Sequence, residues 1–315
     1  MQIFDPAQTA RALPYAALVD ALARAAAELA NGTIHAPERL ALGIDAGGGA
    51  VGTLLCMPAV GPDLGITKLV TVHAGNARHG LPAIQGEVVV FDAATGRRLA
   101  LLDGPTVTQR RTAAMTLLGI RTLAPRRPHT VVLIGTGAQA AAHADALVDF
   151  FGVARLCIAG SSPAKAAQFA AALRVRHPGL AVTALAEGEL APHAAQADVV
   201  IALTTAREPV IPAHLAPHTL AIGVGAFRPE MAEFPPELLH ARPVVVDDVA
   251  GARHEAGDLL RAGIDWDQVR SIGAVLADAG ARGPLTPVFK TVGQAAWDLA
   301  AARVSRNYSC TPYLA

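Results

Sequence analysis

The sequence predicts an α/β protein in which a mostly antiparallel α+β domain is followed by a doubly wound parallel sheet. Residues 40–103 contain short apolar runs bounded by Gly, Pro and Asp, which is typical of antiparallel strands joined by turns. From residue 130 onward, apolar strands alternate with alanine-rich helical segments, which is typical of a parallel sheet covered on both faces. A length of 315 residues suits two domains of ordinary size.

Charge and composition exclude several classes of protein. Lys and Arg together number 26, as do Asp and Glu, so the chain lacks the basic field expected of a nucleic-acid or anionic-membrane binder. Apolar residues make up 52%, which excludes a disordered chain, yet no uninterrupted apolar stretch reaches the ~18 residues of a membrane span. Cys56, Cys157 and Cys310 lie far apart without metal-ligand spacing. These cysteines predict reduced thiols and no metal site. Because the N-terminus also lacks a signal-peptide pattern, we expect a cytoplasmic protein.

The first domain begins with a helix, because leucines recur at helical spacing over residues 8–31, before Asn31-Gly32. Four strands are then predicted, at residues 52–57, 65–72, 86–91 and 98–102. Residues 92–96 form a hairpin turn between the last two strands. A helix over residues 106–123 follows and is closed by Pro125.

The second domain repeats a strand–helix pattern. Strands are predicted at residues 130–135, 155–159, 181–185, 198–203, 219–224 and 243–247, with helices at 139–151 and 163–176. A last helix, over residues 289–304, has Trp297 and Leu299 on its apolar side and could return to the first domain. The predicted domains are therefore residues 1–120 plus 289–315, and residues 121–288.

A glycine-rich turn follows the first strand of the second domain. Gly135, Gly137 and Ala140 form a G-x-G-x-x-A pattern between that strand and the next helix. Gly135 permits the tight turn, Gly137 lets the backbone approach a pyrophosphate, and Ala140 allows close packing of helix on strand. Because the helix N-terminus also favours phosphate, residues 121–288 are predicted to be a Rossmann-type dinucleotide-binding domain.

The end of the second strand indicates which dinucleotide is preferred. NAD-specific proteins usually place an Asp or Glu about 20 residues past the glycines, but here Gly160 is followed by Ser161 and Ser162. Two hydroxyls and Lys165, one turn into the helix, suit a 2′-phosphate, so the prediction is a preference for NADP(H) with NAD(H) possible. The alternative is that one of the serines only caps the helix.

Basic residues in the first domain are candidates for anion binding. Lys68 lies within a predicted strand between apolar neighbours, where it either reaches solvent from an edge strand or faces a negative ligand. Arg39 lies at a junction of loop and strand, where a bidentate carboxylate contact is possible. Arg111 lies on the helix just before the dinucleotide-binding domain and could reach the cofactor phosphates. Taken alone, Lys68 and Arg39 also suit structural roles.

Seven short segments occur in order along the chain, namely Ile66-Thr-Lys68, Leu102-Asp-Gly104, Arg110-Arg111-Thr112, Gly135-Thr-Gly137-Ala-Gln139, Gly225-Ala-Phe-Arg-Pro229, His254-Glu-Ala-Gly-Asp258 and Val288-Phe-Lys-Thr291-Val-Gly293. Their order and spacing are much more specific than any one motif. Together these segments resemble the ornithine cyclodeaminase/mu-crystallin family over essentially the full chain.

The resemblance implies a homodimer joined through the antiparallel substrate-binding domain, with the active site in the cleft between domains. It implies that Arg39 and Lys68 hold a substrate α-carboxylate, and that Glu255 and Val292 lie near the substrate. It also implies a cofactor-binding set, namely Arg111, Thr112, Ala138, Gln139, Ser161, Ser162, Thr204 and Thr291.

One departure from the family pattern bears on the reaction. Cyclodeaminases carry a catalytic Asp two residues before the Pro of the Gly-x-x-x-Pro segment, and here that position is Phe227. Phenylalanine neither accepts a proton nor orients a water. The resemblance is therefore to the branch that reduces cyclic ketimine carboxylates, Δ1-pyrroline-2-carboxylate to L-proline and possibly Δ1-piperideine-2-carboxylate to L-pipecolate. The chain is expected to be an NAD(P)H-dependent oxidoreductase acting on the C=N bond.

The expected mechanism is hydride transfer to the C=N carbon of a protonated cyclic imine. Arg39 would clamp the carboxylate and Phe227 would pack on the ring. Lys68 would either donate the proton or act only as an electrostatic anchor. The competing functions are an ammonia-releasing ornithine cyclodeaminase, an alanine dehydrogenase-like enzyme acting on pyruvate and ammonia, and a non-catalytic NADPH-binding protein.

Overall fold

The computed structural model describes residues 1–45, 47, 50–278 and 285–309, and the chain divides into two units. Unit 1 contains Met1–Thr112 and the segment from Gln294 onward, and unit 2 contains Ala113–Gly293. The boundaries therefore lie a few residues from those expected at 120/121 and 288/289. Cys310 lies outside the described residues.

Unit 1 contains a six-stranded sheet and the helices that cover one of its faces. Strands and helices are numbered in chain order, and those of unit 1 are β1 (Gln2–Ile3), α1 (Pro6–Arg11), α2 (Tyr15–Ala30), β2 (Leu40–Asp45), β3 (Ala50–Val60), β4 (Leu64–Val72), β5 (Ile84–Asp92), β6 (Arg98–Asp103), the first part of α3 (Gly104–Leu123), and α11 (Ala295–Ser309). A 3₁₀ turn spans Ala74–His79. The strand order is β1-β6-β5-β4-β3-β2, antiparallel except for the β1–β6 pair.

The first predicted helix is divided in two by a proline. Pro14 has an extended ψ of 140° and is the N-cap residue of α2, since a proline cannot continue α1 without losing a hydrogen bond. The Asp5 side chain accepts from the Gln8 N–H at 2.7 Å, and the Gln8 side chain accepts from the Asp5 N–H at 2.9 Å, which caps α1. The predicted turn at residues 92–96 is confirmed, with Gly96 at φ +69°.

The core of unit 1 lies between the sheet and the helices α2 and α11, which pack on each other. Along β4, Ile66, Lys68 and Val70 are buried, whereas Leu69 is 46% exposed. Because side chains alternate between the faces of a strand, this pattern places Lys68 on the helix-covered face and Leu69 on the opposite face.

Unit 2 contains a parallel sheet with helical connections. Its strands are β7 (Thr130–Ile134), β8 (Arg155–Ala159), β9 (Ala181–Ala184), β10 (Val199–Ala202), β11 (Leu220–Gly223), β12 (Val244–Val246), β13 (Arg270–Ser271) and β14 (Val288–Lys290), and its helices after α3 are α4 (Ala138–Phe151), α5 (Pro163–Arg176), α6 (Leu190–Ala194), α7 (Pro236–Ala241), α8 (Val249–Glu255), α9 (Gly257–Ala262) and α10 (Ile272–Ala277). A 3₁₀ turn spans Trp266–Gln268.

The strand order β13-β12-β14-β11-β10-β7-β8-β9 makes unit 2 doubly wound. The chain leaves β7 towards β8 on one side, and β10 lies on the other side of β7. In such sheets ligands bind beyond the carboxyl ends of the strands, at the point where the winding reverses. The predicted α/β fold is confirmed, and this reversal places the Gly135 turn and Thr204 at neighbouring strand ends.

The prediction of one helix over residues 289–304 is wrong for its first part. Val288–Lys290 form the strand β14, which pairs in parallel with both β11 and β12. All three residues are buried, and a short apolar run is compatible with either a buried strand or a buried helix. The helix begins only at Ala295, after Gly293 at φ +82°, and it does bury Trp297 and Leu299.

A buried carboxylate fixes the amino end of the central strand β7. Asp198, which directly precedes β10, accepts hydrogen bonds from the backbone N–H groups of His129 and Thr130 at 2.8 and 2.9 Å. Arg126 donates to it at 2.7 Å. Burial alone would raise the pKa of Asp198, but these hydrogen bonds outweigh it and hold that pKa below its usual value.

We expect Asp198→Asn to lower the free energy of unfolding by about 1–3 kcal/mol, because a carboxylate that satisfies buried donors is lost. A depressed pKa in the folded state stabilises the protein above pH ~4, and that contribution is lost as the pH falls through the folded pKa. Urea unfolding should therefore show a difference between the two proteins at pH 7 that shrinks below pH ~4. A difference independent of pH would contradict this role.

Candidate active site

The predicted phosphate-binding turn has the geometry that a dinucleotide requires. Gly135 has φ +125°, and an added Cβ would lie 2.6 Å from the Leu203 carbonyl oxygen, so only glycine fits here. Gly137 is the N-cap residue of α4 and has no side-chain cap, while a Cβ added there would meet nothing within 4 Å. The turn thus leaves open space in front of the first N–H groups of α4.

Gln139 contributes an unsatisfied polar atom at this helix end. Its Oε1 is buried and has no hydrogen-bond partner among the described residues, and buried polar atoms rarely stay unpaired. Ala138 is exposed beside it, and Ala140 is fully buried against the sheet. The N–H groups at this helix end therefore fit the phosphates of a bound dinucleotide, and the Gln139 Oε1, an acceptor, fits a donor of that dinucleotide such as a ribose hydroxyl.

The segment after β8 contains the serines and lysine predicted to select the dinucleotide. Ser162 is the N-cap residue of α5, and its Oγ accepts from the Lys165 N–H at 3.4 Å, so its capping role is confirmed. The Lys165 Nζ lies 3.3 Å from the Ser161 Oγ. The ammonium and this hydroxyl therefore lie side by side at an exposed helix end.

Two loops of unit 2 meet at the carboxylate of Glu233, a residue the sequence reasoning missed. The backbone N–H of Thr204, which follows β10, donates to Oε1 at 2.7 Å. The backbone N–H groups of Gly225 and Ala226, after β11, donate to Oε2 at 2.8 and 3.2 Å. The next residue, Phe227, is 38% exposed. One carboxylate therefore holds the predicted cofactor residue Thr204 and the loop of Phe227.

A second buried carboxylate organises the loop after β14. Asp247 accepts from the backbone N–H groups of Val292 and Gly293, each at 2.9 Å. The Thr291 N–H donates to the Gly223 carbonyl oxygen at 3.0 Å. Both predicted residues, Thr291 and Val292, are buried, so their backbone is fixed at the carboxyl end of the sheet.

Two acidic residues of unit 2 lie at opposite ends of α8. Asp248 caps the start of this helix, accepting from the Gly251 N–H at 3.1 Å. Glu255 is the last residue of α8 and is half-buried.

In unit 1, Lys68 and Arg111 meet at Asp298 on α11. The Lys68 Nζ lies 2.7 Å from Oδ2 of Asp298 and the Arg111 Nε lies 3.2 Å from Oδ1. The Lys68 Nζ also donates to the Thr108 Oγ1 at 3.4 Å. All three charged side chains are buried. Among the described residues, two cations thus face one carboxylate, which leaves an excess of positive charge out of water.

Burial sets the protonation behaviour of Lys68. The pKa of Lys68 is lowered from 10.5 to about 8, and desolvation by burial is the largest cause. The charge and hydrogen bond of Asp298 act to raise this pKa, whereas the positive charges of Arg111 and Arg39 act to lower it. Arg39 is half-buried and lies directly before β2, at the predicted junction of loop and strand. The neighbouring predicted residue Thr112 is buried on α3.

Asp298 was also missed from the sequence, although a signal was present. It follows Trp297 within an apolar helical stretch, and a carboxylate at such a position needs a cationic partner. The sequence does not say which cation, because the partners lie on β4 and α3. The structure brings together Lys68 and Arg111 of the predicted set in unit 1, and Thr204 and the Phe227 loop in unit 2.

Two further classes of site were tested on the described part of the chain. Among those residues, no group of three or more His, Cys, Asp or Glu side chains is arranged to hold a metal ion. No helix there is both long and apolar enough to cross a membrane.

Known proteins resemble the chain over nearly its whole length. It is 49% identical over 306 residues to "Delta(1)-pyrroline-2-carboxylate reductase 1" of Burkholderia multivorans, covering 97% of this chain and 95% of the relative. It is 48% identical to "Delta(1)-pyrroline-2-carboxylate/Delta(1)-piperideine-2-carboxylate reductase" of Azospirillum brasilense, covering 97% and 95%.

A solved structure shares the fold. Thermococcus litoralis Delta(1)-pyrroline-2-carboxylate reductase, solved with NADH and L-proline, superposes with a TM-score of 0.87 at 24% identity, covering 98% of this chain and 97% of that one. The model of the ornithine cyclodeaminase/mu-crystallin family matches residues 6–309. The chain belongs to the ornithine cyclodeaminase/mu-crystallin family.

Proposed function

We propose that this protein reduces cyclic ketimine carboxylates with a reduced nicotinamide dinucleotide. The substrates are Δ1-pyrroline-2-carboxylate, which gives L-proline, and Δ1-piperideine-2-carboxylate, which gives L-pipecolate. The proposal rests on the buried excess of positive charge around Lys68 and on relatives of 48–49% identity that bear these activities in their names.

The charge excess identifies the substrate as an anion. Lys68 and Arg111 share the single carboxylate of Asp298, and Arg39 adds its positive charge to the field at Lys68. A buried cation without a full complement of negative charge is costly. A substrate carboxylate relieves that cost, with Arg39 and Lys68 as its ligands.

Unit 2 holds the nicotinamide cofactor. The open turn at Gly135–Gly137 fits its phosphates, and the orphaned Oε1 of Gln139 fits one of its donor groups, such as a ribose hydroxyl. Thr204 and Thr291 line the neighbouring strand ends. When bound, the cofactor supplies the hydride that the C=N carbon receives. The proposal includes a location in the cytoplasm, where reduced nicotinamide cofactor is available.

The proposal includes a preference for NADPH over NADH. Lys165 and Ser161 lie 3.3 Å apart at the start of α5, and the sequence from Gly160 to Lys165 contains no carboxylate that would repel a 2′-phosphate. An ammonium beside a hydroxyl is a suitable receptor for that phosphate.

Lys68 is the proton donor in this proposal. The imine nitrogen must be protonated before its carbon accepts a hydride, and an acid with a pKa near the working pH is best suited to that task. Lys68 has a pKa of about 8, so it is mostly protonated at pH 7 and releases its proton more readily than an ordinary lysine. Asp298 orients the ammonium and limits how far its pKa falls.

Phe227 separates reduction from ammonia elimination. In the resembling cyclodeaminases an Asp stands at this position, and a phenyl ring cannot handle the proton of an amino group. The ring of Phe227 is partly exposed, and the Arg228 guanidinium lies 5.6 Å from its centroid. It offers an apolar surface to the methylenes of a cyclic substrate.

A homodimer that buries the open face of the unit 1 sheet is part of the proposal. Leu40, Leu42, Val60 and Leu69 lie on the face opposite to the helices and are 46–55% exposed. A monomer seldom exposes such a group of large apolar side chains on one sheet face. A second copy of the same face is the simplest cover for it.

The substrate is tested by following NADPH and NADH oxidation with each cyclic imine and with pyruvate plus ammonia. We expect kcat/KM for a cyclic imine to exceed that for pyruvate plus ammonia by about 10- to 200-fold, since the ring methylenes contact an apolar site. We expect NADPH to exceed NADH by about tenfold, the value of one charge-assisted hydrogen bond. Release of ammonia from ornithine without imine reduction would overturn the proposal.

The role of Lys68 is tested with Asp298→Asn. Because Asp298 raises the pKa of Lys68, its neutralisation lowers that pKa further. The fall of kcat/KM on the alkaline side, near pH 8 in the wild type, should therefore move to lower pH. A profile that stays in place would contradict the coupling of these two residues.

Lys68→Arg is the matched control, because it keeps the charge but holds its proton at all accessible pH values. If Lys68 donates the proton, this variant loses about 10²–10⁴-fold in kcat and its alkaline limb disappears. If Lys68 is only an anchor, kcat stays near the wild-type value.

The dimer is tested by sedimentation equilibrium of Leu69→Glu. We expect the wild type to have twice the mass of one chain and the variant to have the mass of one chain, because a buried charge on each copy faces the apolar sheet of the other. Val175→Glu is the control, since Val175 is 83% exposed on α5 of unit 2. A monomeric wild type would disprove the interface.

A further inference from the structure

We propose that Glu233 is a positioning residue that fixes the cofactor-binding loop of Thr204 relative to the loop of Phe227. The inference rests on the proposed function, because it assigns those loops to cofactor and substrate. Glu233 itself is fully buried, so it acts through the backbone that it holds and not by contact with the reacting atoms.

Glu233 receives four hydrogen bonds divided between the two loops. Thr204 donates its backbone N–H and its Oγ1 hydroxyl to Oε1, at 2.7 and 3.1 Å. Gly225 and Ala226 donate their N–H groups to Oε2, at 2.8 and 3.2 Å. Each oxygen of one rigid carboxylate therefore serves a different loop, so the side chain sets the spacing between them.

Burial raises the pKa of Glu233, but three backbone N–H groups and a hydroxyl directed at one carboxyl group favour the ionised acid. A protonated acid or an amide would turn one acceptor into a donor that faces another donor. The fully buried Lys290 supplies the compensating charge, with its Nζ 3.9 Å from Oε2 of Glu233 and 3.7 Å from Oδ2 of Asp258. Asp258 in turn accepts from the Glu233 N–H at 3.3 Å.

The backbones of the two loops are in direct contact at Gly225 and Thr204, so there is no room to bring them closer together. A Cβ added to Gly225 would overlap the backbone of Thr204 and lie 2.7 Å from Oε1 of Glu233. The contact therefore requires glycine at this position. It leaves the carboxylate as the group that holds the loops together.

Lys290 extends the network to a third loop. It is the last residue of β14, and the chain continues directly into Thr291 and Val292. The ends of β10, β11 and β14 thus all contact one cluster of three buried charges, which are Glu233, Asp258 and Lys290. No part of this cluster is exposed to solvent by more than 2%.

The test is Glu233→Gln, assayed with NADPH and the preferred cyclic imine. The substitution leaves Lys290 with one carboxylate instead of two, so the buried charges balance and the protein should still fold. The amide places a donor against one of the two loops, which displaces that loop. Misplacement of about 1 Å costs about 10²-fold in rate, so we expect kcat to fall by about that factor and the primary deuterium isotope effect from labelled NADPH to rise.

Asp198→Asn is the matched control. Asp198 is also a buried carboxylate that holds backbone N–H groups of unit 2, but at the amino ends of the strands. It should lose stability in urea as Glu233→Gln does, while its kcat and isotope effect stay at wild-type values. If both variants behave alike in all these measurements, Glu233 has only a structural role and the proposal is wrong.

Glu233→Asp covers the case in which the amide variant fails to fold. It keeps the charge beside Lys290 but is too short to reach both loops, so kcat should fall while the protein remains folded. A wild-type kcat in this variant would also overturn the proposal. NADPH affinity, measured by fluorescence without imine, should weaken in a displaced Thr204 loop, and this readout remains decisive even if the wild type reduces no imine.

Discussion

The loops at the carboxyl ends of the parallel strands depend on buried carboxylates, which accept hydrogen bonds from the backbone N–H groups of those loops. Glu233 satisfies the loops after β10 and β11, and Asp247 satisfies the loop after β14. A loop that turns away from a strand leaves amide groups without partners, and burying them unsatisfied is costly. A carboxylate removes that cost for two loops at once. The same groups that stabilise unit 2 therefore also shape the surface that a dinucleotide meets.

Local chemistry made much of this architecture predictable. The turn from Gly135 to Ala140 needs glycines and a small residue for reasons contained within a few residues, and the strand–helix alternation around it is equally local. Phe289 shows where the local sequence no longer determines the structure. Its short apolar run suits a helix or a strand, and only its pairing with β11 and β12 decides between them. Neither of those strands is adjacent in sequence.

The residues missed from the sequence share one property, which is that their partners are distant along the chain. Asp298 meets Lys68 on β4 and Arg111 on α3, and Glu233 meets a lysine on β14. A single buried charge in a sequence shows that a partner must exist but does not identify it. Their positions in the sequence made Arg39 and Lys68 candidates, and the family resemblance assigned them to a substrate carboxylate. Neither indicated which carboxylate of this chain affects the pKa of the lysine.

A phenylalanine at position 227, in place of the aspartate of the resembling cyclodeaminases, changes which residue can hold a proton. With an Asp there, as in the resembling cyclodeaminases, a loop of unit 2 would carry an acid or base. With Phe227 that position offers an apolar ring, and in the proposed mechanism the proton comes from Lys68, whose pKa is lowered to about 8, mainly by burial. Reduction of a cyclic imine needs one proton and one hydride, whereas release of ammonia needs a group that also handles the amino nitrogen. A protein in which burial lowers the pKa of Lys68 and in which position 227 carries no carboxylate is therefore chemically suited to reduction.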